Sequence, residues 1–190
     1  MKTFQLTGTP RTELGKKAAK AARKENLIPA ILYGGEKEIN FLVSNDAVRT
    51  LIYTPEIFIV ELTVDGKTTH AILKELQFHP VSDAVLHIDF LEVSENKPIV
   101  MEVPVVLEGH AEGVKAGGKL SQEMRKLKVK ALYKQIPEKL VVNIDHLGLG
   151  KTLQVGSLSF DGIELLNAKN AVVCAVKLTR AARGAAAKAN

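Results

Sequence analysis

Two glycine-lysine stretches and one histidine-aspartate strand hold the residues whose types and spacing could do chemistry. "GVKAGGK" at 113–119 has the G-x-x-x-x-G-K spacing of a phosphate loop, but Leu120 follows where a hydroxyl should hold magnesium. "GLGKT" at 148–152 has the Lys-Thr pair, yet Asp145 stands where the first glycine belongs. Neither joins an apolar strand to a long helical pattern, so both read as turns in a β domain. "HIDF" at 87–90 offers different chemistry. In a strand, His87 and Asp89 share one face as an imidazole and a carboxylate at fixed spacing. A carboxylate repels a phosphate backbone. It accepts hydrogen bonds from base amino groups and ribose hydroxyls in a groove wide enough to admit it, as the RNA minor groove is. The competing reading is a surface strand with an incidental His and Asp.

No other constellation suggests catalysis. His70, His79, His87, His110 and His146 form no H-E-x-x-H pair and no Cys/His cluster, so no metal site is expected. There is no G-x-S-x-G elbow. The single cysteine, Cys174, lies in the apolar run "AVVCAVKL" and reads as a buried small hydrophobe in a reducing compartment. No cofactor is implied.

The strongest charge feature is a short helix near the front. On a wheel starting at Lys16, residues Lys16, Lys17, Lys20, Arg23 and Lys24 fall within an arc of about 120°. Ala18, Ala19, Ala21 and Ala22 take the opposite side, and Pro29 is expected to forbid continuation. No acids are interleaved at i,i+4, so the row repels itself. Such a row is either a solvated face or an anion-binding one; the missing acids favour the second.

Short strands position these residues. "PAILYGG" and "INFLVS" flank a turn, "DAVRTLIY" reads as a short helix, and Asp65-Gly66 joins two alternating runs as a hairpin. Residues 94–99, "SENKPI", read as a linker. Beyond it lie regular short strands, with "LSQEMR" the one segment of helical aspect. Lys126, Lys128 and Lys130 alternate along "KLKVK" and read as a solvated edge strand guarded by charge, or else as a contact with a neighbouring macromolecule. The predicted fold is mainly β: an N-terminal small β-barrel with one or two helices over 1–95 and a C-terminal all-β domain over 96–179. A basic Ala-rich tail over 180–190 is expected to be disordered.

Bulk properties agree. The 190 residues are 46% hydrophobic and 25% charged, ordinary globular values that exclude a disordered chain. No apolar run reaches the length of about 18 residues that a spanning helix needs, and the start lacks the apolar core of a signal peptide. A cytoplasmic, membrane-free protein is expected. Residues 1–30 are net +5 and the last sixteen net +4; the whole chain is +5, so the stretch between is −4. Localised basicity of this kind suits a polyanion.

The ordered set "R-x-E-x-G-K" at 11–16, "NLIPAILYGG" at 26–35, "LQFHP" at 76–80 and "LHIDF" at 86–90 resembles the family of bacterial large-subunit ribosomal proteins that bind 5S ribosomal RNA. The stretch from Glu102 to Leu153 is similar to the extra domain of that family's long form, the general stress protein CTC type. The resemblance runs from about Arg11 to the strand holding Cys174. It implies a non-enzymatic structural component of the large ribosomal subunit, a monomer on the cytoplasmic ribosome that touches 5S ribosomal RNA and neighbouring large-subunit proteins. It also implies RNA contacts at Arg11, Lys16, Lys20, Arg23, Tyr33, Gln77, His87 and Asp89. Ala21 and Phe78 depart from the pattern, standing where short-form relatives tend to carry arginine. Two other classes compete: a general anion-surface binder acting on DNA or acidic membrane, and a nucleotide-dependent enzyme using one of the two glycine-lysine loops.

Overall fold

A computed structural model describes residues 1–35 and 37–179. The chain divides into two compact units, the first Met1–Lys97 and the second opening at Pro98. The basic tail over 180–190 lies outside the described residues.

The first unit consists of β1 (Lys2–Pro10), α1 (Lys16–Lys24), β2 (Leu27–Tyr33), β3 (Ile39–Ser44), α2 (Asn45–Tyr53), β4 (Phe58–Val64), β5 (Lys67–Phe78) and β6 (Val85–Glu92). Its strands close into a barrel in the order β1-β3-β2-β6-β5-β4, with β1–β4 and β2–β6 parallel. Alternation drives this closure. Ile28, Ala30 and Leu32 of β2 and Ile88 and Phe90 of β6 turn inward to meet Phe41, Val43 and Leu62. The Phe41 and Phe90 rings sit 5.8 Å apart, and a Cβ on Gly8 would reach 2.5 Å from the Phe41 ring. Between β4 and β5, Asp65 and Gly66 both take positive φ (51° and 75°), the primed turn that matches the twist of a hairpin.

The second unit holds β7 (Ile99–Glu108), α3 (Glu112–Lys115), β8 (Lys119–Gln122), β9 (Lys126–Ala131), β10 (Leu140–Asn143), β11 (Thr152–Gln154), β12 (Glu164–Leu165) and β13 (Val172–Lys177). They form a four-stranded sheet, β10-β7-β9-β12, and a three-stranded one, β11-β13-β8. Leu127, Val129, Val103, Leu140 and Val173 are buried within this unit.

Four local expectations give way to the structure. The segment "LSQEMR" begins in β8, where Ser121 pairs with Ala175, because ladder pairing overrides its helical composition. The only α-helix of this unit among the described residues, α3, is a single turn elsewhere. Nor is β9 an edge: it lies between β7 and β12, with Glu102 opposite Lys128 and Glu164 opposite Lys130. Two of the three lysines of the stripe make cross-strand ion pairs, Lys128 with Glu102 at 3.9 Å and Lys130 with Glu164 at 3.4 Å. Helix α1 stops at Lys24 rather than at Pro29, because Asn26 takes φ +61°; Pro29 is buried in β2. The linker ends sooner, since Ile99 already pairs with Ala131. Strand β1 has no counterpart among the predicted elements: Gly8 interrupts its short inward run of Phe4 and Leu6.

Candidate nucleic-acid interface

A nine-residue helix is marginal in water and needs a surface to form on. Helix α1 finds it beside β2, turning Ala18, Ala19 and Ala22 inward while Ala21 stays exposed at the margin of the alanine face. Lys16, Lys17, Lys20, Arg23 and Lys24 are all exposed. Asn26 then ties the helix exit to α2: its side chain donates to Asp46 at 3.1 Å and accepts from Asn45 at 3.1 Å.

One hydrogen bond fixes the helix relative to the histidine-aspartate strand. Arg23 donates through Nε to the Leu86 carbonyl at 3.0 Å. Leu86 is available because the β5–β6 ladder slips there: Gln77 pairs with His87, but Phe78 pairs with Val85. Leu86 is thus the extra residue of a bulge, with its carbonyl released from regular pairing. The guanidinium keeps four further N–H donors for an anion.

On β6, His87 Nδ1 lies 2.7 Å from Asp89 Oδ1, with 29% and 25% of the two side chains exposed. A carboxylate accepts, so in this pair Nδ1 is the donor and the Asp89 contact fixes the orientation of the ring. Gln77 lies across from His87, and Glu75 across from Asp89. Tyr33 comes from β2, where Ile31 pairs with Asp89 and Tyr33 with Leu91, and Gly34 (φ +95°) turns the chain just beyond it. Burial first, then the negative charges of Asp89 and Glu75, push the Tyr33 phenol above its ordinary range, so it stays a neutral donor.

The predicted residues therefore do not all meet in one cluster. Arg23, Tyr33, Gln77, His87 and Asp89 are joined by contact or register around β6. Lys20 and Lys16 continue the Arg23 stripe one and two turns back along α1. Arg11 is more distant: its amide donates to the Asn40 carbonyl at 2.9 Å, Asn40 pairs with Ile31, and Ile31 with Asp89. That row sets Arg11 level with Asp89 but three strands away, at about 4.8 Å per strand. Its guanidinium donates to the Gly15 carbonyl at the start of α1, at 3.4 Å. Sequence reasoning missed Glu75, although it shares the period-2 face of Gln77. The Leu86 bulge has no sequence signature.

The glycine-lysine loops are filled by their own protein. A phosphate loop needs backbone N–H groups that converge on an anion. Here Gly113 N donates to the Leu147 carbonyl, Gly118 N to Gly113, Gly150 N to Val176 and Lys151 N to Gly148, at 2.8–3.2 Å. The glycines serve close packing instead, since a Cβ on Gly113 would reach 2.5 Å from the Leu149 nitrogen. Asp145 accepts from the His110 amide at 2.7 Å and from Asn143 at 3.1 Å, which lowers its pKa below the usual carboxylate range. Among the described residues no group of three His, Cys, Asp or Glu could hold a metal, and no helix is long and apolar enough to cross a membrane.

A six-stranded barrel followed by a second β unit, each matched by a ribosomal family model, places the chain among the ribosomal proteins. Residues 6–90 match the Ribosomal L25p family and residues 98–180 match the ribosomal protein TL5 C-terminal domain. The chain belongs to the ribosomal L25p family, in its two-domain form. It is 74% identical over 190 residues to the large ribosomal subunit protein bL25 of Porphyromonas gingivalis, covering 99% of both chains. It is 68% identical over 193 residues to that of Parabacteroides distasonis (99% of this chain, 100% of the relative) and 60% over 194 to that of Bacteroides fragilis (100% and 99%).

Proposed function

We propose that this protein is a structural component of the large ribosomal subunit in the cytoplasm, a monomer there among neighbouring large-subunit proteins, and that its first unit binds 5S ribosomal RNA. The observation that supports the reading is the Arg23–Leu86 hydrogen bond, which ties the cationic helix to the strand that carries the His87–Asp89 pair. Arg11, Lys16, Lys20 and Arg23 hold phosphates, the two arginines with forked geometry. Tyr33 lays an amphipathic ring against ribose or backbone. Gln77, His87 and Asp89 read hydroxyls and base edges in a minor groove. The protein acts by charge and shape complementarity, stabilising one RNA conformation without cofactor or chemistry.

A competition titration tests this. The full chain should retain labelled 5S ribosomal RNA in the presence of excess duplex DNA. Displacement by the duplex at equal phosphate concentration would reassign the protein as a general anion-surface binder.

A further inference from the structure

Where β8 begins and β13 ends, the second unit carries charge that its own fold does not balance. Lys119 of β8 stands directly opposite Lys177 of β13. Like charges placed so destabilise a ladder. Glu123 answers only one of them: its carboxylate takes Lys177 Nζ at 2.7 Å and Ser121 Oγ at 2.9 Å. Those contacts, Lys177 first, hold the Glu123 carboxyl below the usual carboxylate range, so it stays ionised and committed. Lys119 is exposed and has no ion-pair partner among the described residues.

The 148–151 turn adds a cation to the same end. Gly150 N donates to the Val176 carbonyl at 2.9 Å and Val176 N to the Lys151 carbonyl at 3.0 Å, which seats Lys151 beside the last residues of β13. Lys151 is also exposed and also without an ion-pair partner among the described residues. Lys115 differs, because its charge already acts on Asp145. Thr179 Oγ1 donates to the Gly117 carbonyl at 2.7 Å, two residues before Lys119. The chain therefore passes these lysines just before Arg180, Arg183 and Lys188, a stretch of sequence with no acid.

We propose that this end of the second unit is a cationic surface that takes the phosphate backbone of ribosomal RNA, through Lys119 and Lys151 and the basic segment that follows Thr179 in sequence. The inference rests on the large-subunit part of the reading above and not on the 5S contacts of the barrel. RNA is the occupant by charge complementarity. Lysines are point charges that suit phosphate, and cations spaced from Lys119 and Lys151 onward to Lys188 suit a charge that repeats along a chain. Such a surface positions the second unit without reading sequence.

Cys174 is buried, so Lys119→Cys in the full-length protein offers one accessible thiol for a photo-crosslinker. Taken up by large ribosomal subunits washed free of this protein and then irradiated, it should give an adduct that nuclease digests. An adduct to protein, as an acidic neighbour would give, or no adduct at all would overturn the RNA contact. The double variant Lys119→Gln/Lys151→Gln should lower the log–log salt slope of uptake by about 1.4–1.8, the value of two phosphate contacts. A parental slope would overturn the role of the two lysines. Failure of the unmodified chain to enter the washed subunits would overturn the large-subunit reading as well.

Discussion

Glu75 stands directly opposite Asp89 across the β5–β6 ladder, so two carboxylates share one row of a face that also carries the Arg23 anchor. Like charges in that position destabilise a sheet by about 0.2–1 kcal/mol. Glu75→Gln should therefore raise the denaturant midpoint of the barrel unit; a lower midpoint would show that the carboxylate makes a stabilising contact.

Asp89 has a compensating partner in the His87 ring. Removing the carboxylate releases that ring from its orientation, at a net cost of about 1 kcal/mol per hydrogen bond lost. Asp89→Ala should consequently weaken RNA binding even though it removes a negative charge. Asp89→Asn, whose amide oxygen still accepts from Nδ1, should lose less. Tighter binding by Asp89→Ala would remove the groove-reading role.

The cations divide by environment. Lys20 is exposed on the α1 stripe, where it acts as a point charge. Lys20→Ala should reduce the log–log salt slope of binding by about 0.7–0.9, the value of one phosphate contact. An identical slope would take Lys20 out of the interface. Arg23 does more, since its Nε also straps the helix to β6. Arg23→Lys keeps the charge without the fork, so it should speed amide exchange in α1 about fivefold, the equivalent of roughly 1 kcal/mol. An unaltered exchange rate would mean that the strap contributes nothing to helix docking.

What was legible in the sequence was whatever local periodicity encodes. His87 and Asp89 share a face because strands alternate, and the five cations share an arc because helices turn by 100°. The barrel's hairpin follows from Asp65-Gly66. Illegible were the features that depend on partners distant in the chain. β1 becomes a strand by pairing with β3 and β4, β8 by pairing with β13, and the Leu86 bulge exists only in relation to Phe78 and Gln77. The lysine stripe misled because ladder order, not alternation, decides whether a strand lies at an edge. Glu75 shares the face of Gln77 by alternation, but its place opposite Asp89 depends on a second bulge at Lys74.

Asp145 gives the second unit an acid-sensitive joint. The His110 amide first, then Asn143, holds its carboxyl below the ordinary value of 3.8, so the folded state favours the ionised form. A group of this sign contributes stability that is present above its unfolded pKa and lost as pH falls through its folded one. Protection of the His110 amide against exchange should therefore fall away as pH drops below about 4. In Asp145→Asn that acid-side loss should flatten; an undiminished slope would assign it to other carboxylates.

Gly113 is the decisive test of the loops that resemble phosphate sites. If they were anion cradles, an alanine at Gly113 would leave the fold intact and remove a ligand. The geometry says otherwise, since the new methyl would meet the Leu149 nitrogen at 2.5 Å and the Gly148 carbonyl carbon at 2.6 Å. Backbone cannot yield as a side chain would, so α3 must separate from the 148–150 turn, breaking the Gly113–Leu147 hydrogen bond. Overpacking of this kind costs about 1–3 kcal/mol. Gly113→Ala should thus accelerate exchange of second-unit amides such as Val176 and Gly150 while barrel amides keep their protection. Unchanged second-unit protection would mean that the two glycine loops are not packed against each other, and their phosphate-loop spacing would need a different explanation.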